Sequence, residues 1–194
     1  MRQGRRQQIL EVLAHELETR PGAKLTTAGL AAAVGVSESA LYRHFPSKAK
    51  MFDALIEFAE ESVFGLVTRI LQDEQDAAER CARIGAVVLG FAEKNPGIAR
   101  ILIGDILLGE HERLRARVLQ FFERLEMQVR QVLRDATLTP GPQPDRARIT
   151  EAANLLCAVL IGRIAQFVRG GFRQPPTAFW NDQWPMLARA VFAA

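Results

Sequence analysis

An all-α fold of about nine helices follows from three features of the sequence. Apolar residues recur at three- and four-residue steps along nearly the whole chain. Capping residues and Pro or Gly breakers stand where these runs begin and end. No stretch alternates apolar with polar residues for long enough to make a strand.

The first helix is expected over 5–19, where Ile9, Leu10, Leu13 and Leu17 form one apolar stripe. Arg20-Pro21-Gly22 ends it. Thr26 or Thr27 caps a short second helix reaching about residue 33, its hydroxyl accepting from free backbone N–H groups. Val34-Gly35-Val36 is a tight turn, for which Gly35 supplies backbone freedom. Ser37 caps a third helix over 38–44, with Glu38 at its positive end. Phe45-Pro46 stops that helix. Ser47 caps a long fourth helix to about residue 71, striped by Phe52, Leu55, Ile56, Ala59, Val63, Leu66 and Ile70. Further helices are expected over 76–94, 96–108, 110–136, 146–170 and 177–193. Pro96 suits a first helical position, and the Pro/Gly-rich segment 139–144 reads as a mobile linker.

The chain has 194 residues, 48% of them apolar and 24% charged, which excludes a disordered chain. Uninterrupted apolar runs stop near ten residues, against roughly 20 for a membrane span, so no bilayer crossing is expected. The N-terminus lacks a signal-peptide core, which places the protein in the cytoplasm. Cys81 and Cys157, far apart in apolar settings, read as buried thiols. The net charge of +3 is unevenly spread: residues 1–50 carry +4 and residues 51–194 carry −1. A basic segment on a near-neutral body points to a polyanion partner.

Residues 26–45, TTAGLAAAVGVSESALYRHF, read as helix, turn, helix. Leu30 with Val34, and Leu41 with Phe45, make the inner contacts, and Ala31, Ala32 and Ala33 allow close approach. The opposite face carries Ser37, Ser39, Ala40, Arg43 and His44, short or cationic groups that suit a major groove. A plain helical hairpin in an α-helical core would show the same inner pattern. Its coincidence with the basic quarter of the chain favours DNA. Two domains are expected: a DNA-binding domain over 1–50 and a helical dimerisation and partner-binding domain over 51–194.

The run TTAGLAAAVGVSESALYRHFPSKAKMFDAL resembles the N-terminal domain of TetR-type regulators, above all in its F-P-S-K step into a long fourth helix. The helical remainder also fits that family. Three segments narrow the match: ESALYRHFPSKAKMFDALIEFAEES, LGFAEKNPGIARIL and ERLEMQVRQVLRDA are similar to the nucleoid occlusion factors within it. The resemblance implies a homodimer on palindromic chromosomal sites that antagonises polymers of the tubulin-like division protein FtsZ. The alternative within the same family is a ligand-responsive repressor.

For DNA, Arg5, Arg6 and Lys48 are the expected phosphate contacts, joined by Thr26, Thr27 and the N–H groups opening the second helix. Base reading falls to Ser37, Ser39, Ala40 and Tyr42, with Arg43 able to grip guanine through two bonds. The resemblance makes Tyr42 and His44 backbone contacts. Tyr42 also reads as partial packing, and His44 as a cation at its helix end. For FtsZ, the resemblance points to Phe58, Gly90, Lys94 and Asn95, with Lys94 where the family has arginine. Phe58 also reads as a core residue. Residues 152–168 are apolar nearly all round, so that helix needs cover on two sides, its own domain and a twofold mate. Leu156, Leu160, Ile164 and Phe167, with Trp184 and Leu187 on the last helix, are the expected interface. No phosphate loop, nucleophile elbow or metal motif appears, and no catalysis, cofactor, metal, membrane or obligatory small molecule is expected.

Overall fold

The computed structural model describes residues 2–20, 25–106, 112–138 and 144–192, with side chains from Gly4 onward. Among them are nine α-helices and no strand: α1 Arg2–Thr19, α2 Thr27–Val34, α3 Glu38–His44, α4 Lys48–Asp73, α5 Ala77–Lys94, α6 Pro96–Leu102, α7 Glu112–Ala136, α8 Ile149–Arg169 and α9 Trp180–Phe192. The all-α expectation holds, and the differences lie at the ends. Helix α1 starts at Arg2 rather than 5, so Arg5 and Arg6 sit on its opening turns. Helix α6 stops at Leu102, short of 108, because Gly104 turns left-handed at φ 75° and Asp105 N–H reaches back to Arg100 O at 3.1 Å. Helix α9 begins at Trp180 rather than 177, since Phe179 has φ 60°. A 3₁₀ turn, Arg146–Arg148, leads into α8. The stop at Pro21-Gly22, and the 139–144 linker except for Pro144, lie outside the described residues.

The chain packs as two compact units. The first unit takes 1–59 together with 95–118. Its core includes Ile9, Leu13, Leu30, Leu41, Phe45, Met51 and Phe52. Helix α6 belongs to it because α6 lies directly on α1. A Cβ at Gly97 would stand 2.1 Å from the Ala14 carbonyl oxygen. The neighbouring Arg100 is 6% exposed, donates to Leu17 O at 2.7 Å and pairs with Asp105 at 2.7 Å. A charge buried this far is tolerable only when hydrogen-bonded and paired. The guanidinium thereby satisfies a carbonyl near the end of α1. Asp53 on α4 binds Arg117 at 2.9 Å and Lys50 at 3.0 Å in the same unit.

The second unit takes 60–94 and 119–194. Gly85 on α5 makes room for the Trp180 ring, which lies 2.2 Å from where a Cβ would be, and the indole N–H donates to Ala82 O at 3.0 Å. Phe64 stacks on Phe121 with ring centroids 5.3 Å apart, and Arg124 covers the Phe64 ring at 4.0 Å. Leu66, expected on the inner stripe, is exposed, and Val67 takes the buried position. Cys81 and Cys157 are free and buried, and desolvation pushes each thiol up to about 12. Both are therefore inert as nucleophiles at neutral pH.

Within Arg146–Arg169 one 18-residue window has a mean hydropathy of 1.4, long and apolar enough to cross a membrane by length and composition alone, a test that the core helix of a folded domain also passes. Polar interruptions such as Asn154 and Arg163 keep each apolar run short without removing that overall character. Only 33% of its apolar window is buried within the chain. Its inner side, including Ala153, Leu156, Cys157, Leu160, Ile164 and Phe167, belongs to the core.

Candidate nucleic-acid interface

The helix-turn-helix is built by its caps. Thr26 has extended backbone and its Oγ1 accepts from Gly29 N–H, which fixes where α2 begins. Gly35, at φ 75°, ends α2 as a left-handed cap, with Val36 N–H bonding Ala31 O at 2.9 Å. Ser37 then accepts from Ala40 N–H and opens α3 two residues later. Leu30 and Val34 on α2 and Leu41 on α3 are buried, as is Phe45 just beyond. Ser47 accepts from Lys50 N–H at the start of α4. The capping and turn chemistry read from the sequence is thus what sets the angle of α3.

The expected DNA residues are all exposed or half-buried. Ser37, Ser39 and Arg43 are exposed, Ala40 and His44 half-buried, and Tyr42 is 43% exposed. Ser37 and Ser39 share a hydrogen bond at 3.0 Å. Arg5 and Arg6 are exposed, Arg5 bonding Gln8 at 2.7 Å and Arg6 lying 4.9 Å over the Phe45 ring. Lys48 rests 5.4 Å over the Phe52 ring, its stem against apolar surface. The two threonines differ. Thr26 Oγ1 accepts from Gly29 N–H at 3.1 Å, whereas Thr27 donates to Glu38 at 2.9 Å. The phosphate role expected of Thr27 therefore competes with a bond that ties α2 to α3.

The residues expected for FtsZ are accessible to different degrees. Phe58 is 42% exposed, so α4 does not bury it as a core position. Lys94, the last residue of α5, is exposed. Gly90 is half-buried, and a Cβ there would meet nothing within 4 Å. Asn95 is half-buried and precedes Pro96 at the N-terminus of α6, without a side-chain cap bond.

The expected dimer residues need correction. Leu156, Leu160, Ile164 and Phe167 are at most 4% exposed inside their own unit and have no surface left for a partner. A helix that is apolar all round shows that two faces are covered but not which face is internal. The outward residues are Leu155 at 45% exposure, Ala158 and Gly162 on α8, and Met186 at 62% on α9. Trp184 and Leu187 are half-buried. The sequence reading placed Met186 on the interface side of the last helix, and Leu155 among the apolar residues of 152–168 without singling it out. For Leu155 the signal was the nearly all-apolar sequence of α8, read one position out of register.

Comparison with known proteins agrees with this architecture. Residues 9–55 match the model of bacterial regulatory proteins of the tetR family, and residues 75–191 match the SlmA-like form of the tetracyclin repressor-like C-terminal domain. A nucleoid occlusion factor SlmA from Marinomonas sp. is 52% identical over 185 residues, covering 95% of this chain and 93% of that protein. One from Alteromonas mediterranea is 54% identical over 182 residues, covering 93% and 92%. Among solved structures, a TetR transcription regulator from Haloarcula marismortui superposes with TM-score 0.79 at 15% identity, covering 97% of this chain and 98% of that one, a likeness of fold alone. The helix-turn-helix and the similarity through the C-terminal domain together make this chain a member of the SlmA family of nucleoid occlusion factors, within the TetR-type DNA-binding regulators.

Proposed function

We propose that the protein is a cytoplasmic, nucleoid-associated homodimer that binds palindromic chromosomal sites and, while bound, antagonises FtsZ polymer assembly over the nucleoid. The observation that carries this reading is the reach of the similarity. It extends over residues 75–191, well beyond the helix-turn-helix that TetR-type regulators share. On the DNA, Arg5, Arg6, Lys48 and Thr26 hold phosphates, and the N–H groups of the first turn of α2 add a positive pole. Ser37, Ser39, Ala40, Tyr42 and Arg43 face the bases, and His44 the backbone. One such helix covers too few base pairs for specificity, so a twofold partner places a second in the next major groove, about 34 Å away. The outward apolar face of α8 and α9 is the surface proposed for that partner.

For FtsZ, the proposed contacts are Phe58 as an apolar anchor, Lys94 as a cation for an acidic tail, and Gly90 and Asn95. Anisotropy of a labelled peptide of the FtsZ C-terminal tail tests them. Lys94→Glu is expected to weaken binding at least tenfold, about the size of one charge-assisted hydrogen bond. Lys94→Arg should retain or tighten it, since arginine adds a second parallel donor. Equal affinity for the wild-type and Lys94→Glu proteins would remove Lys94 from the contact.

A further inference from the structure

The segment proposed to bind DNA carries a carboxylate at the start of α3, amid its positive excess. Glu38 is the first residue of α3 and is exposed. It sits in the segment that supplies Arg5, Arg6, Arg43, Lys48 and Lys50, yet among the described residues it forms no ion pair. Among the described residues its bond is to a neutral donor, Thr27 Oγ1 donating to Oε2 at 2.9 Å. That bond joins the first residues of α2 and α3 and orients the side chain, leaving Oε1 without a protein donor among the described residues.

We propose that Glu38 is a specificity-determining residue that accepts a hydrogen bond from a cytosine amino group in the major groove and penalises other bases at that position. The inference rests on the DNA-binding reading above. In helix-turn-helix proteins the N-terminal residues of the second helix reach the base edges, and Glu38 is the first of them. A carboxylate only accepts hydrogen bonds. In the major groove cytosine offers a donor at N4. Guanine presents O6 and N7, both acceptors, and repels a carboxylate. Adenine places its N7 acceptor beside its N6 donor, and thymine offers O4 and a methyl group. Cytosine is therefore the base that satisfies Glu38 without repulsion. On any other sequence the carboxylate is a cost next to a polyanion. Two copies in a symmetric dimer apply that penalty twice, which raises the ratio of specific to non-specific binding.

Selection of bound sequences from a random duplex pool, run with wild-type protein and with Glu38→Gln, tests this. Glutamine keeps the acceptor for Thr27 but loses the charge, and its amide pairs naturally with adenine N6 and N7. Wild type is expected to enrich a palindrome with cytosine required at one symmetric position in each half-site. Glu38→Gln should shift that position alone toward adenine and bind non-cognate duplex about tenfold more tightly at low salt. An unchanged preference at every position, or a parallel weakening at all of them with an unchanged melting temperature, would overturn the assignment. The latter would show that Glu38 only orients α3. If the wild-type protein enriched no palindrome, the DNA-binding reading itself would fail, a separate outcome.

Discussion

Gly97→Ala is expected to destabilise the first unit by about 2–4 kcal/mol, a large share of the 5–15 kcal/mol that holds an ordinary domain together. The new methyl would lie 2.1 Å from the Ala14 carbonyl oxygen and 3.2 Å from the Leu17 Cβ. The obstacle is backbone, so no side-chain rotation relieves it. Helix α6 would have to move more than an ångström away from α1. That shift would loosen Leu13, Leu17, Ile98 and Ile101, all buried, and stretch the bond from Arg100 to Leu17 O. The gain of about 1 kcal/mol in helix propensity on replacing glycine is smaller than this cost. Urea denaturation followed by circular dichroism measures the outcome. The midpoint should fall for Gly97→Ala, while Gly90→Ala, where a Cβ meets nothing within 4 Å, should leave stability unchanged or raise it.

Leu155→Glu is expected to separate the dimer and lower affinity for a full palindrome about a thousandfold. Leu155 is 45% exposed on the outward side of α8, so a glutamate there is solvated in the single chain and folding should persist. In a twofold interface the same two carboxylates would be buried near each other without partners, which no hydrogen bond offsets. Loss of the dimer converts two linked half-site contacts into one, and the effective-concentration advantage disappears. Sedimentation velocity together with DNA anisotropy checks both parts. Leu156→Glu gives a different expected result, because Leu156 is 4% exposed within its own unit and its replacement should unfold the chain.

Much of the DNA-binding segment is legible in the sequence, because local chemistry dictates it. Thr26, Gly35, Ser37 and Ser47 are caps and turn residues whose roles depend on neighbours three or four positions away. The place of α6 was not legible. Gly97 and Arg100 act across more than eighty residues of chain, on Ala14 and Leu17, and periodicity carries no information on which helix meets which. The dimer face failed for a related reason. A helix as apolar as α8 presents no polar stripe, so the inner residues Leu156, Leu160, Ile164 and Phe167 and the outer Leu155 looked alike in sequence. Glu38 was visible as a first-turn acid favoured by the helix dipole. Its bond to Thr27 became apparent only when α2 and α3 were placed together.

The proposed dimer acts on FtsZ while it is bound to DNA. Pelleting of FtsZ polymers in GTP, with the full chain and either its selected palindrome or a scrambled duplex of equal length, tests it most directly. Polymer mass is expected to fall with the palindrome and to change little with the scrambled duplex. Unchanged polymer mass at saturating protein and palindrome would contradict the account and favour a repressor that acts on transcription alone.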